Sequence, residues 1–127
     1  MLLNQFVATL TPKVKGTHTP YDDNRSVLVI PTGRGRVQSV ILENIFAEDY
    51  RYILVSSKIC AESKIPDKLF KREKNCTFCR LAIRHGFLQA VAYLDENMNP
   101  DLAAAIVTEV ANFADEQEES ITGEDIY

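Results

Sequence analysis

NPDLAAAIVTEVANFADEQEESITG, running from Asn99 to Gly123, carries the clearest helix signal and the broadest apolar face in the sequence. Asn99 is a good N-cap, Pro100 suits the first helical position with its fixed φ and missing N–H, and Asp101 complements the N-terminal dipole. Leu102, Ile106, Val110, Phe113 and Ala114 recur at three- and four-residue steps, and Ala103 and Val107 widen the stripe. Thr108, Glu109, Asn112 and Asp115 fall outside it. No Gly or Pro lies between Asp101 and Thr122. One helix of about five to six turns is expected, stopping at Gly123, with one side that must be covered.

Working back from this helix, Phe78 to Arg84 and Phe87 to Leu94 read as two strands joined tightly around His85-Gly86. Ser63 to Asn75 reads as a short basic helix that Pro66 can begin and Asn75 can end, with Leu69 and Phe70 as its apolar face and Lys68, Lys71, Arg72 and Lys74 exposed. Further back, Ser26-Val27-Leu28-Val29-Ile30 is β-branched, apolar and too short for a helix, and Arg36 to Glu43 resumes after Thr32-Gly33-Arg34-Gly35. Tyr50 to Ser57 makes a third strand after Phe46-Ala47-Glu48-Asp49. Residues 1–24 form an N-terminal segment without a settled assignment: Met1 to Leu10 fits a short helix or a strand, Thr11-Pro12 and Thr19-Pro20 punctuate it, and Tyr21 to Asn24 reads as a turn. The order β-β-β-α-β-β-α, with hairpin-length links, indicates an α+β domain with a twisted, mainly antiparallel sheet flanked by helices.

A chain of 127 residues, 46% hydrophobic and 25% charged, fits one globular domain over residues 1–127, with residues 122–127 as a tail. No apolar run approaches the roughly 20 residues of a membrane span, and the first residues lack a secretory pattern, so the expectation is a cytoplasmic protein with no membrane partner. A net charge of −4 and a pI near 5.2 argue against a nucleic-acid partner, which would need a basic surface.

No catalytic constellation is visible, and the sequence assigns no catalytic residue, cofactor or metal ligand. His18 and His85 stand alone, and Gly33-Arg34-Gly35 lacks the continuation of a phosphate loop. Cys76-Thr77-Phe78-Cys79 is the one spacing that suggests chemistry, as a redox pair or half a zinc site with Cys60 or His85 as helpers. It follows a basic helix and runs into a strand, where residues three apart point to opposite faces, so ordinary buried or half-buried cysteines are the simpler reading. Asp115, Glu116, Glu118, Glu119, Glu124 and Asp125 crowd the C-terminal end, opposite in sign to Lys68–Lys74, either as solvated faces or as groups that attract one another or a partner.

The element order, the Pro66 to Asn75 helix, the Phe78 to Leu94 hairpin and the phrase Val110-Ala111-Asn112-Phe113-Ala114-Asp115-Glu116 together resemble the YbjN-like proteins, a family that shares the fold of type III secretion chaperones. The resemblance covers roughly Ser26 to Ile121 and rests on apolar patterns rather than catalytic residues. The N-terminal helix of that family is short or unclear here. The resemblance implies a non-enzymatic protein-interaction, chaperone-like or regulatory module, often a dimer, that holds an unidentified client segment on apolar surface or at a free sheet edge.

The strand Phe87 to Leu94 is apolar on both alternating faces. Leu88, Ala90, Ala92 and Leu94 can face the helices, which leaves Phe87, Val91 and Tyr93 as the candidate interaction surface on the other side. A second copy of the chain, giving a homodimer, is the simplest cover for that side. The rival is the N-terminal segment, with Leu2, Phe6 and Val7 folded across it.

Overall fold

The computed structural model describes residues 2–67 and 76–122. Its elements run α1 (Leu3–Leu10), β1 (Thr17–Asp22), β2 (Arg25–Gly33), β3 (Arg36–Ala47), β4 (Tyr50–Ala61), a single 3-10 turn at Glu62–Lys64, β5 (Arg80–Arg84), β6 (Phe87–Leu94) and α2 (Pro100–Thr122). The class is α+β, with six antiparallel strands in the order β1-β2-β3-β4-β6-β5. No described helix is long and apolar enough to cross a membrane.

Four two-residue turns, Asp23-Asn24, Arg34-Gly35, Glu48-Asp49 and His85-Gly86, make the hairpins. Arg34 and Gly35 both take positive φ, as do His85 and Gly86, which is the backbone that a two-residue hairpin needs to match the twist of its strands. β5 follows β4 in sequence but lies at the far edge beyond β6, so β4 pairs with β6.

Both helices lie on one face. Leu3, Phe6, Val7 and Leu10 of α1 join Ala103, Ile106, Val107, Val110, Phe113 and Ala114 of α2 in a single core with Leu28, Ile30, Val40, Leu42, Ile53, Val55 and the helix-facing residues of β6. α2 packs mainly on β4, β6 and β3, and α1 sits beside it over β2, β1 and β3. Asn99 caps α2 as its sequence demands, its Oδ1 accepting the N–H of Asp101 at 2.8 Å. Of the residues of β6, Leu88, Ala90, Ala92 and Leu94 do face the helices.

Several expectations change. The N-terminal segment forms α1 and an extra edge strand, β1, and α1 packs in the helix layer, so it does not cover the face that bears Phe87, Val91 and Tyr93. Pro20, in the Thr19-Pro20 pair that punctuates this segment, is tolerated within β1 because β1 is an edge, where a missing N–H interrupts no second ladder. Leu102 is 41% exposed: the buried stripe is centred on Ala103, Val107, Val110 and Ala114, about 100° round the helix from it. Asp115, placed outside the stripe, is buried because Arg36 Nε donates to its Oδ1 at 2.9 Å. β5 begins at Arg80 rather than Phe78. Of the basic helix expected over Ser63 to Asn75, residues 68–75 lie outside those described; Ser63 and Lys64 fall in the 3-10 turn, and residues 65–67, Pro66 among them, are not helical.

Ile106 is 4% exposed at the centre of the α2 contact. Ile106→Asp would bury an unpaired carboxylate there and is expected to lower stability by about 3 kcal/mol or more. A urea midpoint equal to that of the parent chain would remove α2 from the core.

Candidate functional site

Because the helices take one face, the other has no described element over it, and the alternation along each strand decides what it shows. β3 presents Ser39, Ile41, Glu43 and Ile45 there, β4 presents Tyr52, Leu54, Ser56 and Lys58, and β6 presents Phe87, Gln89, Val91 and Tyr93. The three residues singled out from the sequence therefore share this face. They do not form one spot: Phe87 walls a groove at one end, Tyr93 belongs to an aromatic patch at the other, and Val91, only 6% exposed, lies between them as floor.

The groove arises from a split in the sheet. β3 pairs with β4 only from Ile41 onward, Ile41 lying opposite Ser56, while β4 beyond that point follows β6 through a bulge between Lys58 and Cys60. The two strands diverge as a result. Gln38 bridges the gap from within, its Nε2 donating to Ser57 Oγ at 3.0 Å and to the Lys58 carbonyl at 2.9 Å, and Ser57 Oγ donates to the Ser39 carbonyl at 2.7 Å. Side-chain hydrogen bonds thus take the place of ladder bonds where the ladder has opened.

The opening gives a groove of about 490 Å³ whose walls include Arg25, Ile41, Glu43, Lys58, Arg84, His85, Phe87 and Gln89. Among the described residues its fixed charges are three cations against one carboxylate, on a chain whose net charge is −4. Arg84 is held by Glu43 at 3.6 Å and by Gln89, whose Nε2 donates to the Arg84 carbonyl at 3.0 Å. Lys58 Nζ stands 4.2 Å from the centre of the Phe87 ring. Arg25 pairs with Asp22, whose carboxyl is held below its usual range first by the N–H of Asn24 and then by Arg25 itself. Beyond Val91 the face turns aromatic: Tyr52 meets Tyr93 edge-on at 5.2 Å, Tyr50 stacks obliquely on Tyr52 at 6.0 Å, and Tyr50 and Tyr93 are 67% and 62% exposed. Lys58, Arg84 and Glu43 were not singled out from the sequence. Their alternation with apolar neighbours marked the face, but the split that gathers them depends on a bulge with no local signal.

A second constellation lies in the helix layer. The turn before β5 brings Cys79 Sγ to 2.8 Å from Cys76 Sγ, so the extended geometry that would have aimed the two thiols apart is not adopted. Glu109 of α2 holds the turn by accepting the backbone N–H groups of Thr77 and Phe78, the latter at 2.9 Å. The donor atoms of Cys76, Cys79 and Glu109 all lie within 4.8 Å of one another, and neither Cys60 nor His85 belongs to this group. Burial, and then the contact with Cys76, pushes the Cys79 thiol up, and burial raises Cys60 as well. His85 instead sits at the groove, and His18 bonds to the buried Ser26 hydroxyl, which donates to Asn4 of α1 at 3.1 Å.

Of the expected acidic cluster, Glu124 and Asp125 lie outside the described residues, and Asp115, Glu118 and Glu119 meet arginines. Arg36 is clasped between Asp115 and Glu118 of α2, Glu118 Oε1 lying 3.7 Å from its Nη2, and Arg34 reaches Glu119 at 3.8 Å. The turn arginines thus meet an acidic partner within their own chain. Comparison of the sequence with models of known protein families and with curated proteins gives no match.

Gln38→Leu keeps the side-chain volume but deprives Ser57 Oγ and the Lys58 carbonyl of their donor. A loss of about 1–3 kcal/mol is expected in chemical unfolding. An unchanged midpoint would show that the split closes without Gln38.

Proposed function

We propose that this chain is a non-enzymatic protein-interaction module of the YbjN-like, type III secretion chaperone-like kind, and that it works through the uncovered face of its sheet. The observation that carries this reading is that face itself: a twisted antiparallel sheet with its helices on one side and, on the other, a groove and an aromatic patch with no described element over them. Antiparallel sheets that leave one side to solvent normally make it polar. Here Ile41, Leu54, Val91, Tyr52 and Tyr93 make its middle and one end apolar, as a surface that is covered in use would be.

The two ends suit different partners. The aromatic end, with exposed tyrosines that bury much area at little entropic cost, is suited to a second copy of the chain. The groove, lined by Arg25, Lys58 and Arg84 beside Phe87 and Ile41, is suited to a client segment that combines acidic and apolar side chains. What supports the chaperone-like comparison is the coarse class, an antiparallel sheet flanked by helices.

Light scattering at micromolar concentration tests the dimer. The parent chain is expected to dimerise, and Tyr93→Lys, at an exposed position, to give a folded monomer with stability changed by less than about 1 kcal/mol. Val91→Lys is the poorer probe, since it would place a charge at a position that is already buried in one chain. A parent chain that stays monomeric throughout would defeat the homodimer. In pull-downs read by mass spectrometry, a reproducible client lost with Lys58→Glu would place binding at the groove, whereas a client retained by that variant would move it elsewhere.

A further inference from the structure

We propose that Cys76 and Cys79 are a reversible dithiol–disulfide site, oxidised by the disulfide of a small thiol, with the more accessible Cys76 as the attacked and attacking sulfur and the buried Cys79 as the resolving one. The site lies on the helix side of the sheet, and the inference does not depend on what binds the opposite face.

Three features of the geometry point this way. The sulfurs are already in contact at 2.8 Å, across a turn whose backbone Glu109 anchors to α2 through the N–H groups of Thr77 and Phe78. Closing this contact to the ~2.0 Å of a disulfide asks the two side chains to move together by less than ~1 Å. The two sulfurs also differ in access: Cys79 is fully buried in the hydrophobic core, whereas Cys76 is only partly covered. A small disulfide can therefore reach one sulfur and not the other, which fixes the order of events.

In the first step the Cys76 thiolate attacks one sulfur of the oxidant RSSR. A Cys76–SR bond forms, the RS–SR bond breaks, and the departing thiolate leaves as RSH with the proton that Cys76 gave up. In the second, Cys79 attacks Cys76 Sγ; the Cys76–Cys79 bond forms, the mixed disulfide breaks, and the Cys79 proton ends on the second RSH. The protein loses two electrons and two hydrogens, and RSSR becomes two RSH. The contact between the sulfurs makes the second step intramolecular, so the mixed disulfide does not accumulate. Burial holds Cys79 as a thiol until then, which protects it from further oxidation.

The test equilibrates the full chain with reduced and oxidised glutathione at stepped ratios, quenches with acid, blocks remaining thiols and reads intact and peptide masses without reduction. The expected result is a single transition that removes two hydrogens, links residues 76 and 79 and leaves Cys60 blocked as a thiol. Cys79→Ser is expected to stop at a glutathione adduct on Cys76. Should that buried substitution prevent folding, Cys76→Ser, at the more accessible position, is expected to abolish both the adduct and the internal bond with an unchanged circular dichroism spectrum. The proposal is overturned by a stable glutathione adduct on the parent chain, by thiols that stay reduced across all ratios, or by a stoichiometric thiophilic metal in the purified protein.

Discussion

The burial of one stripe of α2 against the middle of the sheet is the contact on which the remaining structure depends. Ala103, Ala111 and Ala114 keep the helix close to the strands, and Ile106, Val107, Val110 and Phe113 fill the space over β4, β6 and β3. Each strand must then turn its larger aliphatic residues to that side, which fixes register, since a slip of one residue would carry Leu28, Val40, Val55 and Leu88 to the opposite face. α1 fills what α2 leaves over β1 to β3. That no described element covers the other face is thus a consequence of where the helices went.

The polar contacts add position rather than bulk burial. Arg36, with only 17% of its side chain exposed, ties the tip of the β2–β3 hairpin to the last turns of α2 through Asp115 and Glu118. Removing one member of such a group would strand the others in the interior, a larger loss than the group's own net contribution to stability. Gln38 acts similarly at the split. It allows β4 to leave β3 without abandoning buried backbone groups, and so permits a groove in a sheet that would otherwise be continuous.

Much of this was legible in the sequence. The cap at Asn99-Pro100-Asp101, the apolar steps of α2, and the turn residues at Gly33-Arg34-Gly35 and His85-Gly86 all act locally, so pattern and propensity sufficed for them. β1 was missed because its exposed edge carries few apolar residues and a proline, and its strand character comes wholly from pairing with β2. α1 was ambiguous because the spacing of Leu3, Phe6, Val7 and Leu10 spans barely two turns. Asp115 was misplaced because its burial depends on an arginine far away in the chain. The site was legible in part: alternation put Phe87, Val91 and Tyr93 on one face, but the groove required a strand bulge, and the meeting of Cys76, Cys79 and Glu109 required a turn where a strand was expected.

The way β4 skips β5 to pair with β6 has a kinetic consequence. The β1–β2, β2–β3, β3–β4 and β5–β6 ladders each join neighbours through a two-residue turn, so a four-stranded meander and the β5–β6 hairpin can form early and independently. The β4–β6 ladder alone must close the long connection between Ala61 and Phe87, and α2 cannot seat across both strands until it does. Loop-closure entropy therefore concentrates in a single docking step. Until then the meander and the hairpin each carry an open edge and an unburied apolar face, and this is the interval in which the nascent chain is most exposed to pairing with the wrong neighbour.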